Sequence, residues 1–346
     1  AFELFQLFRQ MTKGNFCFSP YSGHRVAAML AEGAKGETQQ QLLNMGHLPS
    51  DQAVRVAHTT SLKQELSRST GQGLMIEVAN AIWIPAGNAF LPSFVSTAKD
   101  QFGASSLVLP DGAPIRSAAM VNHWIRQQTR GRIASLVGPD VFDHDRQTAL
   151  VVNSVYLKGS WGQPFELAKT KPREFTQGSG SKSMLPMMLQ TAMFGFSSSE
   201  TWQHLEMSFA SGDCSMRFLL PRTDSGRNRI EAALNLTIWD QVRRGETLCD
   251  VNVMLPRFSF STKLDLAGLW QMLGVRDAFE EQRSDLTAMI AKRPCWISQV
   301  LHEATIEVNE IGAQAAAATA AADPFGAPAN EPPKPRRESF IANHPF

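Results

Sequence analysis

The sequence predicts an α+β fold, in one large domain or two ordinary ones; two observations lead there, and a third sets one stretch apart. Apolar residues recur at helical spacing over several stretches, clearest at 2–12, 54–67 and 91–102. Others alternate with period two or run almost unbroken, as at 75–84 and 148–159, which is the pattern of strands. The third observation is an Ala tract: eight of the residues from Ala313 to Ala322 are Ala, directly after a strand-like segment and Gly312. With 346 residues, 43% of them hydrophobic and 19% charged, the chain can bury a large core.

The first helix, Phe2–Thr12, crowds Phe2, Leu4, Phe5, Leu7, Phe8 and Met11 onto one broad face and closes at Lys13-Gly14. Asn15–Phe18 reads as a short strand, and Ser19-Pro20 opens a second helix with Ser as cap and Pro at the first helical position. Helices continue through Arg25–Leu48, with Thr38 capping and Leu42 and Leu43 facing inward, and an amphipathic helix follows at Val54–Ser67. Met75–Ile84 alternates and is β-branched enough for a central strand, and Leu91–Phe102 is a helix carrying Phe94, Val95, Ala98 and Phe102. Thr148–Gly159 is a nearly continuous apolar run, predicting a strand covered on both faces. A single amide, Asn153, interrupts it, and a buried amide must find partners or cost about 1–3 kcal/mol.

Beyond it, Lys182–Phe196, Glu200–Phe209 and Cys214–Pro221 read as strands, Ile230–Ile238 as a helix, and Asp250–Phe260 as a strand broken at Pro256. Leu264–Leu273 is a helix closed by Gly274, and Ser284–Met289 and Ile297–His302 lead to a half-buried strand at Ala304–Glu310.

Charge excludes some partners. The 33 basic and 32 acidic residues leave a net +1, so no bulk field draws nucleic acid or an anionic membrane. No apolar run is long enough to span a bilayer, and the opening AFELFQLFRQ is a helix pattern without the regions of a signal peptide. The expectation is an intracellular protein or one whose leader was removed before Ala1. Cys17, Cys214, Cys249 and Cys295 are too scattered for a zinc or redox motif and are expected as mostly buried free thiols. The single sequon, Asn235-Leu-Thr, carries little information. There is no G-x-S-x-G elbow, H-E-x-x-H pair, phosphate loop or complete G-x-G-x-x-G, and the eight His show no helical pairing. The sequence points to no enzyme, metal or cofactor.

The Ala tract is a strong helix former with little surface to fix it in a core. It and its flanks carry a resemblance. EVNEIGAQAAAAT (307–319) resembles the proximal hinge of the serpins, and FIANHPF (340–346) the motif after their reactive-centre loop. NFCFSPYS, AAMLAEGAKGETQQQLLNMG, Asn80 to Trp83, AAMVNHWIRQQTRGRI (118–133) and the order Trp161, Phe165, Thr170, Phe175 are similar to serpin segments in family sequence. The resemblance implies the serpin fold: three β-sheets surrounded by about eight to nine helices, in a single domain over 1–346 with an exposed loop at about 311–339. Serpins continue past HPF for two more strands, so the chain is expected to be a fragment or one piece of a cleaved molecule.

The resemblance also implies roles. Glu310 and Gly312 form the hinge, and period two gives Ala313, Ala315, Ala317, Thr319, Ala321 and Asp323 as the face that enters the main sheet, all small except Asp323. The reactive bond is expected at Gly326-Ala327, with Phe325-Gly326 the alternative. Ser19, Ser22, Asn153 and His302 match the polar group beneath the sheet's opening centre, and Trp161, Arg257 and Glu310 the top where the loop enters. Ala327–Ser339 should be extended and solvated, Lys334, Arg336 and Arg337 included. The implied partner is a serine protease, elastase-, subtilisin- or chymotrypsin-like, trapped as an acyl-enzyme by a monomer that the family places outside the cell. A non-inhibitory serpin, chaperone or small-ligand carrier, is the alternative.

Overall fold

The computed structural model describes residues 1–12, 14–69, 73–142, 148–291, 294–311 and 335–346, with the side chains of 224 and 225 left out. Its helices are α1 (Phe2–Met11), α2 (Pro20–Gly33), α3 (Gly36–Met45), α4 (Gln52–Ser69), α5 (Pro92–Phe102), α6 (Pro114–Gln128), α7 (Asp224–Ala233), α8 (Leu236–Arg244) and α9 (Ala267–Met272). Its strands are β1 (Leu74–Ile84), β2 (Ala104–Val108), β3 (Thr148–Gly159), β4 (Lys171–Thr176), β5 (Lys182–Ser198), β6 (Trp202–Ser208), β7 (Ser215–Pro221), β8 (Thr247–Pro256), β9 (Phe258–Asp265), β10 (Trp296–Val308) and β11 (Arg337–Ile341).

One sheet has five strands in the order β2-β1-β3-β10-β9. β3 lies at its centre and is buried along almost its whole length, as its apolar run requires. On one face α2, α5 and α9 pack through Met29, Leu30, Phe94 and Trp270 against Ile82, Val151 and Val300. On the other, Val121 and Ile125 of α6 pack over Ala81, Leu150, Val152 and Leu301. The other ladders join as one six-stranded sheet, β11-β8-β5-β6-β7 with β4 beside β5, where three sheets were expected. The cause is the length of β5: residues 182–187 pair with β4, 195–198 with β6, and 187–196 with β8 on its other edge.

Several predicted boundaries move for local reasons. Asn15–Phe18 is no strand among the described residues; Phe16 and Phe18 pack on Phe8, and Cys17 N donates to Thr262 Oγ1. α4 is not amphipathic, since its buried residues are Arg55 and Thr59 while Val54 stays exposed. α6 stops at Gln128, before the left-handed Arg130 and Gly131. The helix read over 230–238 is two, divided where Asn235 Oδ1 accepts Ile238 N and caps α8. The strand over 250–260 divides at Arg257, whose N–H donates to Pro186 O, so β8 and β9 belong to different sheets. β9 runs into the segment assigned to the next helix, which begins only at Ala267, and Ser284–Met289 is loop and turn. The short strands β2 and β4 had no clear pattern. β11 begins at Arg337 inside the stretch expected to be solvated, and Arg337 lies beside Asp250 and Arg336 beside Glu338 as ion pairs.

Candidate functional site

The site is a seam between two strands. β3 and β10 run parallel at the middle of the five-stranded sheet, registered from Trp296 opposite Thr148 to Ile306 opposite Leu157, with an irregularity between Ile297 and Gln299. Every other neighbour of these two strands is antiparallel: β1 beside β3 and β9 beside β10. Parallel pairing is slightly the weaker kind, so the centre of the sheet, like its short β1–β2 edge, is joined by the weaker ladder.

One row of polar side chains crosses this line. Asn80, Asn153 and His302 are in register on β1, β3 and β10 and share a face. Ser19 N donates to His302 Nε2 at 3.1 Å, which makes that nitrogen an acceptor and puts the ring proton on Nδ1. Nδ1 then donates to Asn153 Oδ1 at 2.5 Å, Asn153 Nδ2 to Asn80 Oδ1 at 2.6 Å, and Asn80 Nδ2 to the carbonyl of Phe102 at 3.4 Å. A backbone donor at one end and a backbone acceptor at the other fix the sense of the whole chain. Burial pushes the His302 pKa down to about 4, so the imidazole is neutral, as the chain requires. Ser19 also caps α2 by accepting Ser22 N at 3.2 Å, while Ser22 Oγ is buried with no partner among the described residues.

One residue further along, on the opposite face, Glu303 and Ser154 oppose each other, and Glu303 Oε2 and Ser154 Oγ are buried without hydrogen bonds among the described residues. Burial raises the Glu303 pKa against the pull of Lys263. Unmade bonds to buried polar atoms are costly, so these atoms load the closed seam.

The upper cluster sits where the chain leaves β10. Arg257 donates to Glu310 Oε1, and Glu310 is 4% exposed. Burial raises the Glu310 pKa, but the hydrogen bond from Arg257 helps to outweigh it, and the net direction is down. Trp161 Nε1 donates to Asn309 O at 2.9 Å, Phe165 N to Glu310 O at 2.8 Å, and the indole stacks on Phe209 with centroids 5.2 Å apart. The structure brings Ser19, Asn153 and His302 together at mid-seam, with Ser22 beside Ser19, and gathers Trp161, Arg257 and Glu310 around the end of β10. Sequence reasoning missed Asn80 as a member of the first group, although an amide within the apolar β1 was the same signal that flagged Asn153. Gly312, Ala313, Ala315, Ala317, Thr319, Ala321, Asp323, Phe325, Gly326 and Ala327 lie outside the described residues. The four cysteines are free, Cys249 and Cys295 buried and Cys17 and Cys214 half-buried.

Comparison with known proteins gives a consistent result. The family model described as Serpin (serine protease inhibitor) matches residues 1–346. Leukocyte elastase inhibitor of Sus scrofa is 32% identical over 357 residues, spanning 100% of this chain and 92% of that protein. Uncleaved ovalbumin superposes with a TM-score of 0.86 at 22% identity, over 99% of this chain and 91% of that one. Human thyroxine-binding globulin gives 0.85 at 21%, over 99% and 90%. A family match over the whole length, a relative similar throughout and a shared fold agree: the chain belongs to the serpin family.

Proposed function

We propose that this serpin inhibits a serine protease as a suicide substrate, by inserting its cleaved loop into the β3–β10 seam. The observation that carries the reading is where β10 ends. Its chain leaves at the top of the seam, beside the parallel partner from which β10 would have to part, and the Ala-rich stretch follows at once. A segment that reversed there and ran down between the two strands would be antiparallel to both. One parallel ladder would become two antiparallel ones. About ten added hydrogen bonds at ~1 kcal/mol each are comparable with the stability of a whole domain. The small side chains of Ala313, Ala315, Ala317, Thr319 and Ala321 suit passage between strands beneath α6.

Cleavage falls at Gly326-Ala327, with Phe325-Gly326 the alternative, and small residues there suit an elastase-like or subtilisin-like enzyme, Phe a chymotrypsin-like one. That several relatives are named leukocyte elastase inhibitor favours the first. Arg337 is a poor candidate, because it belongs to β11. In the test, the protein is incubated with an elastase and the products are resolved in detergent. A detergent-resistant complex, with a large rise in melting temperature of the loop-cleaved chain, supports inhibition. Clean cleavage with neither sign would leave the non-inhibitory reading, a chaperone or small-ligand carrier.

A further inference from the structure

The seam has a lid, and the lid has a latch. α6 and the segment returning from it, residues 129–137, cover the seam's outer face: Val121, Ile125, Ile133 and Leu136 pack with Leu150 and Val152 of β3 and Leu301 of β10. Internally the lid is well tied. Asn122 Oδ1 accepts the backbone N–H groups of Leu136 and Val137, its Nδ2 donates to Val137 O, Thr129 Oγ1 accepts Ile133 N, and Arg126 Nη2 donates to Ala134 O.

Among the described residues the lid's polar ties to the sheet converge on one place. Arg132 Nη1 donates to Glu77 Oε2 of β1 at 2.5 Å, and Arg130 Nε lies 3.0 Å from Glu77 Oε1. The Arg132 guanidinium also lies 4.2 Å from the ring centroid of Tyr156, a residue of β3 that faces Thr305 across the seam. The turn carrying both arginines is unusual. Arg130 has φ +50° and Gly131 φ +80°, and an arginine in the left-handed region persists only where its surroundings hold it there. Glu77 is 14% exposed at its side chain, so its pair with Arg132 is largely shielded from water and salt.

We propose that Arg132, held between Glu77 and Tyr156, is the positioning residue that latches the lid over the seam, and that its release sets the rate at which a strand enters between β3 and β10. This inference rests on the insertion reading above. A strand sliding between β3 and β10 must pass beneath Val121 and Ile125, and the lid can rise only when the guanidinium leaves both partners. Breaking the latch therefore speeds entry rather than slowing it, the opposite of what loss of a residue that merely supports the catalytic or binding geometry would do.

The experiment separates this claim from the insertion reading by using a free peptide in place of the tethered loop. An acetylated peptide with the sequence of residues 313–324, AQAAAATAAADP, is added to the uncut protein. Formation of a species of raised melting temperature is followed in time by native electrophoresis. The parent should take up peptide slowly, and Glu77→Gln and Arg132→Ala about tenfold faster. The double variant should be clearly slower than the product of the two single effects predicts, because the Arg132–Glu77 contact is common to both, while Arg130 and Tyr156 each belong to only one. Arg132→Lys, which keeps a cation near both partners, should stay near the parent rate. Val253→Ala, at a buried position in the other sheet, controls for general loss of stability and should melt lower without faster uptake. Equal rates for parent, Glu77→Gln and Arg132→Ala would overturn the latch alone. No uptake by any of them, with no rise in melting temperature after the loop is cut, would overturn the insertion reading and the latch with it.

Discussion

His302 Nδ1 and Asn153 Oδ1 lie 2.5 Å apart across the one parallel contact at the centre of the five-stranded sheet. The bond exists only while the imidazole is neutral with its proton on Nδ1. Burial lowers the His302 pKa from the usual 6.5 to about 4. In a lowered imidazole the stabilising form is the neutral one, so the contribution is whole above about pH 6.5 and drains as pH falls toward 4, where the unfolded chain binds the proton first. Its upper bound is roughly 3.5 kcal/mol, from about 1.4 kcal/mol per pH unit.

Stability measured by denaturant between pH 7 and 4 should therefore fall, and His302→Asn should fall less steeply. His204, which burial also lowers to about 4, titrates in the same window, so His204→Asn is the matched comparison. Parallel pH profiles for the parent and His302→Asn would exclude this role.

Asn80 and Asn153 should prove to be one unit. Asn153→Ala leaves the His302 ring proton and Asn80 Oδ1 without partners, and Asn80→Ala leaves Asn153 Nδ2 and the Phe102 carbonyl bare. Each should cost about 1–3 kcal/mol, and the double variant clearly less than the sum, in equilibrium unfolding.

α4 is held by a buried ion pair rather than by an apolar stripe. Arg55 Nε lies 2.8 Å from Glu32 Oε1, both side chains are 4% exposed, and Nη1 donates to the carbonyls of Pro49 and Ser50. Arg55→Ala would strand the Glu32 charge and should cost about 3–5 kcal/mol, whereas the double change Arg55→Met with Glu32→Leu should recover much of it. Thermal unfolding of the three variants tests this ordering.

For the loop, Ala313→Arg is the decisive substitution. An arginine at the first entering position would have to bury an unpaired guanidinium at a cost of several kcal/mol, and entry would stall. The variant should fold, be cut at the same bond, and release active protease. Formation of as much detergent-resistant complex as the parent gives would rule out insertion through this hinge.

Legibility followed the range over which each pattern acts. The unbroken apolar run of β3 and the alternation of β10 showed through, because burial on a sheet imposes its period on every residue. The amphipathic reading of α4 failed because Arg55 and Thr59, polar by type, are the residues it buries. β2, β4 and β11 are 5, 6 and 5 residues long, too short for a period to emerge, and β11 owes its place to pairing with the distant β8. His302, Asn153 and Glu310 came from motif resemblance. Asn80 and the Glu77, Arg132 and Tyr156 latch did not, since nothing in one dimension shows that 77, 132 and 156 meet.

The Trp161 indole donates to Asn309 O and lies flat on Phe209, with 8° between ring planes. Its surroundings are thus defined by the first carbonyl past β10 on one side and by an aromatic neighbour on the other. Any event that pulls the top of β10 away would change the polarity felt by that ring, giving the molecule an intrinsic optical gauge. Emission from Trp161, isolated by replacing the other tryptophans with Phe, would report the opening of the sheet in real time without a dye, a label or a protease.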